Sequence, residues 1–291
     1  MYESFSSYTV GANHVRLNKP CQDFALHVSR EDMRFAIVAD GHGSETCFRS
    51  GRGARFAAHC AAHCITGFVE TLKARKMTLE DIEADHETLL RELEKSIIAF
   101  WYEMVEADYT EEPFTTKELE KAGVEPLALQ SPSQFYGTTL IAVAAVESYW
   151  FGLHIGDGKC VAIDRRGTCT EPIPWDDTCF LNVTTSLCDN DAAEKFRHYF
   201  SREIPAAVFI GSDGVDDSYP VNNNGEHLGR LYKTIAENFA GSGFAAGQDQ
   251  LAEFIPMLSK KGSGDDVSIA GFIDMDAVQC LFTRSKAWQS A

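Results

Sequence analysis

The sequence lacks the features that would place it at a membrane or on a nucleic acid. No apolar run approaches the ~18 residues of a membrane span, and the opening segment MYESFSSYTVG has neither the basic nor the apolar stretch of a signal peptide. Basic residues are also scarce, with 26 Lys and Arg against 43 Asp and Glu, so the net charge is −17. Nucleic acids and anionic membranes attract basic surfaces. We therefore expect a cytoplasmic protein that binds neither.

Regularly spaced cysteines are also missing. The chain of 291 residues has nine cysteines, an odd number without a repeated interval, so we expect free thiols and no disulfide framework. The stretch HCAAHC at residues 59–64 could supply half of a zinc site, but no other CxxC or HxxxH pair supplies the second half. Its small residues favour a helix packed in the core.

The sequence is rich in short β-prone runs that come in groups, separated by pairs of helical segments. The predicted strands cover residues 5–10, 23–29, 34–39, 138–147, 149–155, 159–164, 206–210 and 267–273. The predicted helices cover residues 45–76, 79–108, 227–240 and 245–259. Strict alternation of strand and helix is absent. This order predicts an α+β sandwich with helices that cover antiparallel sheets, and not a Rossmann-type fold.

Two stretches do not follow this pattern. Residues 111–133 are polar and contain prolines, which predicts a loop or a short helix. Residues 170–205 combine prolines with cysteines and resemble an inserted, irregular lobe. We therefore predict a single domain over residues 1–291, with a helical layer and insertion at about 44–135 and a lobe at about 170–205.

Three predicted strands end in an Asp-Gly pair, and a fourth strand begins after two acids. The acids are Asp40, Asp157 and Asp213 at the strand ends, and Asp265 with Asp266 before the last strand. One Asp-Gly pair is ordinarily a turn, but neighbouring strands would bring these carboxylates together. Converging carboxylates repel each other, and a divalent cation removes that repulsion. All-oxygen ligands favour Mg²⁺ or Mn²⁺, and a glycine such as Gly41 lets its own carbonyl approach the ion.

The same residues carry a resemblance to a known family. The motifs, in order, are DGHG (40–43), GTT (137–139), IGDG (155–158), SDGVDD (212–217) and GDDVS (264–268). Together they resemble the metal-dependent protein serine/threonine phosphatases of type 2C, the PPM family, over about residues 11–273. The resemblance implies a β-sandwich flanked by helix pairs, with a flap near the active site that corresponds to residues 170–205.

The resemblance implies roles for individual residues. Asp40 would bridge two Mn²⁺ or Mg²⁺ ions, with Asp213 and Asp265 completing the first site and the Gly41 carbonyl belonging to the second. Asp157 matches an aspartate that helps to hold a third, weaker ion. His42 matches the histidine proposed as general acid. The implied reaction is hydrolysis of phosphoserine and phosphothreonine by a metal-bridged hydroxide, while His42 protonates the leaving oxygen.

The chain departs from the family in its first motif, CQDF at residues 21–24. Gln22 stands where many members carry a glutamate that serves the second ion, followed by Asp23. Gln22 offers only a neutral oxygen, so that ion should bind more weakly or rely on Asp23 through water. Asn18 stands where an arginine would grip the phosphate. We expect Arg16, then His14, to take that role, with a solvated loop position as the alternative for Arg16.

This variant resembles a bacterial branch of the family with Cys-Gln-Asp in the first motif and a phrase like TCFLN, here residues 178–182, in the flap. The expected partner is a phosphoprotein, either a cognate serine/threonine kinase or its target, in bacterial signalling. Two other functions stay open. One is a pseudophosphatase or regulatory binding module on the same fold, which the changes at Asn18 and Gln22 would suit. The other is a small-molecule phosphoesterase.

Overall fold

The computed structural model describes residues 2–124, 131–179 and 183–289, with the side chains described as far as residue 282. Ten strands form two five-stranded sheets in which every pairing is antiparallel. The first sheet has the order β1 (Tyr2–Thr9), β10 (Val267–Asp274), β9 (Ala207–Gly211), β6 (Lys159–Ile163), β7 (Cys169–Thr170). The second has the order β2 (Phe24–Ser29), β3 (Met33–Ala39), β4 (Leu140–Val146), β5 (Tyr149–Ile155), β8 (Arg197–Ser201).

The helices lie along the chain between these strands. Their bounds are α1 (Ala12–Leu17), α2 (Ser50–Ala74), α3 (Leu79–Ala84), α4 (His86–Glu111), α5 (Thr116–Ala122), α6 (Ala192–Lys195), α7 (Asp213–Asp216), α8 (Asn224–Ser242), α9 (Phe244–Lys261) and α10 (Met275–Gln289). A 3₁₀ turn covers Ser133–Tyr136. None of the described helices is long and apolar enough to cross a membrane.

Three apolar clusters hold four layers together. The inner faces of the two sheets meet through residues such as Val38, Ile141, Ile210 and Phe272. The outer face of the second sheet packs on α2 and α4, and the outer face of the first sheet packs on α8 and α9. Strands β4, β5, β9 and β10 are buried along their whole length. The predicted α+β sandwich flanked by helix pairs is confirmed.

Several predicted helices have different limits in the structure. The predicted helix 79–108 is two helices, because Asp85 leaves the helical region with φ −118° and the His86 ring hydrogen-bonds with the Glu83 carbonyl at 2.7 Å. The start at Thr78 is as expected, since its hydroxyl accepts from the Asp81 N–H at 3.2 Å in a capping box. Helix α2 begins at Ser50 rather than residue 45, after the turns that carry Gly41 to Phe48 around the end of β3.

Several regular elements were not predicted, among them one helix and one strand that bear on the site and the sheet. Residues 12–17 form α1, and residues 197–201 form β8 at the edge of the second sheet. The prediction of irregular structure across 170–205 was therefore wrong at β8, which pairs with β5 through Phe200 opposite Phe151. Part of the TCFLN phrase, residues 180–182, lies outside the described residues.

The HCAAHC stretch lies in α2, as expected for a helix packed in the core. Cys60 is buried. The centroid of the His59 ring lies 5.4 Å from that of Phe24, and the centroid of the His63 ring lies 5.2 Å from that of Phe100. Within the part of the chain that the structure describes, these residues do not form a cluster spaced to hold a metal ion. The zinc alternative therefore gains no support.

Candidate metal centre and active site

A cavity of about 770 Å³ lies where the Asp-Gly turns meet. It is lined by most of the residues singled out from the sequence, namely His14, Gln22, Asp40, Gly41, His42, Asp157, Asp213 and Asp265. Asp217, Asp266, Ser186 and Asp189 also line it. Arg16 and Asp23 are not among its lining residues.

Asp40 is held at the cavity by the GTT motif. Its N–H donates to the hydroxyl of Thr139 at 3.2 Å, and its carbonyl accepts from the Thr139 N–H at 2.8 Å and the Thr138 hydroxyl at 2.9 Å. The backbone N–H and carbonyl of Asp40 are therefore both satisfied by Thr138 and Thr139. The carboxylate side chain is therefore the polar group of Asp40 that is left to face the cavity.

Gly41 lies where three backbone segments come close together. A Cβ at this position would be 2.7 Å from the carbonyl carbon of Ser50 and 2.8 Å from the carbonyl oxygen of Gln22. The Gly41 N–H also donates to the Gln22 carbonyl at 3.2 Å. No other residue fits here, so the glycine brings the first turn of α2 and the Cys-Gln-Asp segment against Asp40.

The carboxylates of this cluster raise one another's pKa. Asp40 and Asp213 share a side-chain hydrogen bond. Burial, followed by the neighbouring Asp23 and Asp213 charges, holds the pKa of Asp40 well above its usual range. Burial and the charges of Asp157 and Asp265 raise the pKa of Asp213 to about 6. Crowding and burial make the ionised forms of these carboxyls costly without a cation, so the set is suited to a divalent cation held by oxygen atoms.

Gln22 presents an unpartnered oxygen to the same cavity. Its amide nitrogen donates to the His42 carbonyl at 3.0 Å and to the Ser50 hydroxyl at 2.6 Å. Its Oε1 is buried and accepts no hydrogen bond. Because an unpaired buried acceptor costs free energy, a cation at this oxygen would remove that cost. The unpartnered oxygen is compatible with a cation there, and the role of Gln22 as a metal ligand stays a prediction.

Asp23 lies behind the wall of the cavity. It is 4% exposed, and its Oδ2 accepts from the Ser268 hydroxyl at 2.7 Å. Burial, with a further contribution from Asp266, raises its pKa to about 8. Its role as a ligand through water stays a prediction, and the hydroxyls of Ser268 and Ser212 hydrogen-bond with its carboxylate.

His42 lines the cavity beside the 3₁₀ turn. The backbone N–H of His42 donates to the Gly137 carbonyl at 3.0 Å. A Cβ at Gly137 would lie 2.6 Å from Cδ2 of the His42 ring. Gly137 thus leaves the room that the imidazole occupies. Burial lowers the pKa of His42, and the charges of Asp157 and Asp189 act against that shift.

The Asp157 turn is tied to the lobe that follows β7. The Gly156 N–H donates to the Thr185 hydroxyl at 2.9 Å, and the Gly156 carbonyl accepts from Nη2 of Arg197 at 2.6 Å. Arg197 also donates to the Pro174 carbonyl at 2.9 Å. Sequence reasoning missed Thr185 and Arg197, since nothing local in their segments pointed to the turn.

Two further acids line the cavity: Asp217, which the sequence did not single out, and Asp266, which it named beside Asp265 without assigning it a role. Asp217 ends SDGVDD, and burial with the charges of Asp157 and Asp265 raises its pKa. Asp266 is buried and accepts from the backbone N–H groups of Gly11 and Gln22, both at 2.6 Å. Asp266 therefore fixes the amino-terminal segment against the turn that carries Asp265.

The two phosphate-binding candidates lie in different surroundings. His14 is buried, with its Nδ1 2.9 Å from Oδ1 of Asp266. Arg16 is exposed on α1. Asn18 ends α1 in the left-handed region, with φ 54°, a conformation that asparagine tolerates better than most residues. The backbone thus gives a reason for asparagine where the family pattern has arginine.

The comparisons with known proteins agree with this geometry. A family model described as "Protein phosphatase 2C" matches residues 10–255. The chain belongs to the protein phosphatase 2C family. The predicted resemblance is therefore confirmed, and the chain is a member of a family of metal-dependent protein phosphatases. The narrower assignment to a branch with Cys-Gln-Asp stays a prediction, and no curated protein sequence matches the chain.

Solved structures share the protein phosphatase 2C fold at low identity. The serine/threonine phosphatase Stp1 from Staphylococcus aureus is 15% identical with a TM-score of 0.56, over 94% of this chain and 95% of that one. The serine/threonine phosphatase PstP/Ppp from Mycobacterium tuberculosis is 15% identical with a TM-score of 0.52, over 94% and 98%. PppA from Pseudomonas aeruginosa, a regulatory component of T6SS, is 14% identical with a TM-score of 0.55, over 94% and 97%.

Proposed function

We propose that this protein phosphatase 2C enzyme hydrolyses phosphoserine and phosphothreonine in proteins, using Mn²⁺ or Mg²⁺ bound at the carboxylate cluster. The observation that carries the proposal is the buried pair Asp40 and Asp213, whose carboxyls share a hydrogen bond and have raised pKa values. A site of this kind is costly to the fold without a cation. Its position in a cavity of about 770 Å³ leaves room for a phosphorylated side chain.

The residues that would hold the ions are those that face the cavity with free oxygen atoms. Asp40, Asp213 and Asp265 are the proposed ligands of the first ion. Asp40, the Gly41 carbonyl and Oε1 of Gln22 are proposed for the second. Asp157 is proposed for a third. When bound, such ions lower the pKa of water and neutralise charge on phosphoryl oxygens.

The chain's own groups then supply orientation and a proton. Thr138 and Thr139 fix the backbone of Asp40, and Arg197 and Thr185 fix the Asp157 turn. His42 is proposed to deliver a proton from its ring to the serine or threonine oxygen as that oxygen leaves. Arg16 is exposed on α1 and would reach a phosphate only from outside the cavity.

The proposed substrate is a phosphoprotein, such as a serine/threonine kinase or its target in bacterial signalling, and the proposed location is the cytoplasm. The open cavity and the family membership support a protein substrate. The pseudophosphatase alternative gains no support, because Asp40, Asp213 and Asp265 all line the cavity.

The test is phosphate release from phosphoserine and phosphothreonine peptides in MnCl₂ and in EDTA, with free phosphoserine as the small-molecule comparison. We expect metal-dependent release that is much faster from the peptides. Release that is absent in every metal would contradict the proposal. Equal rates per phosphate on peptide and free phosphoserine would favour the small-molecule phosphoesterase.

A further inference from the structure

His14, which lies outside the family motifs, forms a cluster with Asp265 and Asp266. In the part of the chain that the structure describes, they are the one group of three or more histidine, cysteine or acidic side chains whose ligand atoms all lie within 4.8 Å of one another. The cluster borders the cavity. It brings a nitrogen donor to a centre whose other proposed ligands are oxygen atoms.

The His14 ring is buried without a well-directed hydrogen bond. The residue is 9% exposed, and Nδ1 has no hydrogen-bond partner although Oδ1 of Asp266 is 2.9 Å away. The N–H direction of an imidazole is fixed in the ring plane, so a proton on Nδ1 would not point well at that oxygen. With Nδ1 turned towards Asp266, Nε2 is the ring nitrogen left for a cation, which would bind along its lone pair in the ring plane.

The spacing suits two ligands of one ion. Nε2 of His14 lies 3.9 Å from Oδ1 of Asp265. Ligand atoms that each lie about 2.0–2.2 Å from an ion are separated by roughly 3 to 4.3 Å. The separation is too long for a hydrogen bond. It falls inside the range for a shared cation.

Asp266 holds this arrangement in place. Both of its oxygens accept backbone N–H groups, from Gly11 and from Gln22. These bonds fix the start of α1, and therefore His14, against the turn that carries Asp265. The Asp265 side chain is 56% exposed and lies at the cavity. Asp266 is thus a positioning residue. Oδ1 of Asp265 accepts the Asp266 backbone N–H at 2.8 Å, which leaves lone pairs on the Asp265 carboxylate to bind an ion.

A phosphate group fits this position less well than a cation. A phosphate bound to the His14 ring would lie beside the carboxylates of Asp265 and Asp266, and like charges at this distance repel each other. The same carboxylates attract a cation. The electrostatics of the cluster therefore favour a metal ion over the phosphate that the sequence alone suggested for His14.

We propose that a ring nitrogen of His14 is a ligand of the divalent ion held at Asp265. Imidazole nitrogen suits first-row transition ions, whereas Mg²⁺ prefers oxygen atoms. His14 therefore biases this site towards Mn²⁺ and its neighbours in the transition series and away from Mg²⁺. The inference rests on the proposed function only in that it takes Asp265 as a metal ligand.

The direct test is pulsed electron paramagnetic resonance on protein with ¹⁵N-labelled histidine and a limiting amount of MnCl₂. We expect spin-echo modulation from a histidine nitrogen bound to Mn²⁺ in the wild type, its loss in His14→Gln, and its retention in His42→Gln. No nitrogen modulation in the wild type would overturn the proposal. Modulation that survives in His14→Gln and disappears in His42→Gln would assign the nitrogen to His42 instead.

Calorimetric titration gives a second readout that is independent of turnover. In His14→Gln we expect the Kd for Mn²⁺ to rise by about tenfold or more, which is the lower end of the loss seen when metal-site partners are removed, and the Kd for Mg²⁺ to change much less. His27→Gln, on β2 and outside the cavity, is the matched control. Equal losses for both ions would overturn the proposed bias. The titration contains metal and protein but no phosphate ester. Its result therefore does not depend on whether the protein has the proposed phosphatase activity.

Discussion

At the scale of single residues, His42 has the most specific chemical role. A serine or threonine oxygen is a poor leaving group and needs a proton, whereas para-nitrophenolate leaves without one. We expect His42→Ala to reduce turnover of a phosphopeptide by roughly 10²–10⁴-fold. The loss on para-nitrophenyl phosphate should be far smaller. The measurement is kcat on both substrates in saturating Mn²⁺.

The two substrates act as each other's control in that experiment. A variant that merely distorts the cavity would lose activity on both to the same extent, because both must reach the same ions. Equal losses would therefore assign His42 a structural role, for which its position against Gly137 already gives a reason.

The residues that the sequence predicted best are those whose role is local. Asp40, Asp157 and Asp213 each end a buried strand, so their positions could be predicted from strand patterns alone. Gln22 shows what local sequence patterns cannot predict. Its amide nitrogen is bound to His42 and Ser50, and a glutamate there would lose those donors. That reason for glutamine depends on residues distant in the sequence, so it could not be predicted.

At the scale of elements, β8 is joined to α4 by a contact between one histidine ring and two glutamates. Nδ1 of His198 on β8 lies 2.7 Å from Oε1 of Glu94, which is 1% exposed, and Nε2 lies 2.9 Å from Oε2 of Glu87, which is 71% exposed. The hydrogen bond that the His198 ring donates to Glu94, with the one to Glu87, raises the pKa of His198 despite its burial. One ring therefore bridges a buried acid and a solvated acid.

The two glutamates give a matched pair of variants. We expect Glu94→Gln to lower the free energy of unfolding by about 3 kcal/mol, since it removes the buried partner of a charged ring. Glu87→Gln should cost less than about 1 kcal/mol, because Glu87 itself is exposed to solvent. Chemical denaturation of both variants at pH 6 measures the difference. Equal costs would contradict the account of this contact.

The pH dependence follows from the raised pKa of His198. A group whose pKa is higher in the folded state contributes its stability fully below the unfolded pKa, about 6.5 for histidine. That contribution is lost as the pH rises through the folded value. The cost of Glu94→Gln should therefore be largest near pH 6 and shrink as the pH rises to 9. A cost that grows with pH would have the wrong sign.

Elements defined by local pattern were predicted, and elements defined by distant partners were not. Strands β3 and β9 are continuous apolar runs, so sequence alone indicated them. Strand β8 is only half-buried, and β5 provides its pairing. Helix α1 is short, and its first turn is held by Asp266 and Ser259 from the far end of the chain. The partners that define β8 and α1 are therefore absent from the sequences of these two segments.

At the scale of the whole molecule, the sandwich brings both sheets' acidic turns to one cavity. Asp40 and Asp157 follow strands of the second sheet, whereas Asp213 follows a strand of the first sheet and Asp265 precedes another. The sequence could state only that these acids would meet if their strands were neighbours. Which strands pair, and which ends coincide, depends on packing between distant segments. Convergence at the cavity is therefore a property of the fold.

The central claim is that these acids hold the ions that perform phosphate-ester hydrolysis, and Asp213→Asn tests it most directly. The measurement is turnover of a phosphopeptide across a Mn²⁺ titration, with melting temperatures recorded in EDTA and in Mn²⁺ and with the surface variant Asp32→Asn as control. We expect turnover to be abolished at every Mn²⁺ concentration, because a ligand of the first ion is lost. The metal-free melting temperature should equal or exceed that of the wild type, since one repelling charge is removed, and Mn²⁺ should raise it less. Turnover near the wild-type level in saturating Mn²⁺ would contradict the account.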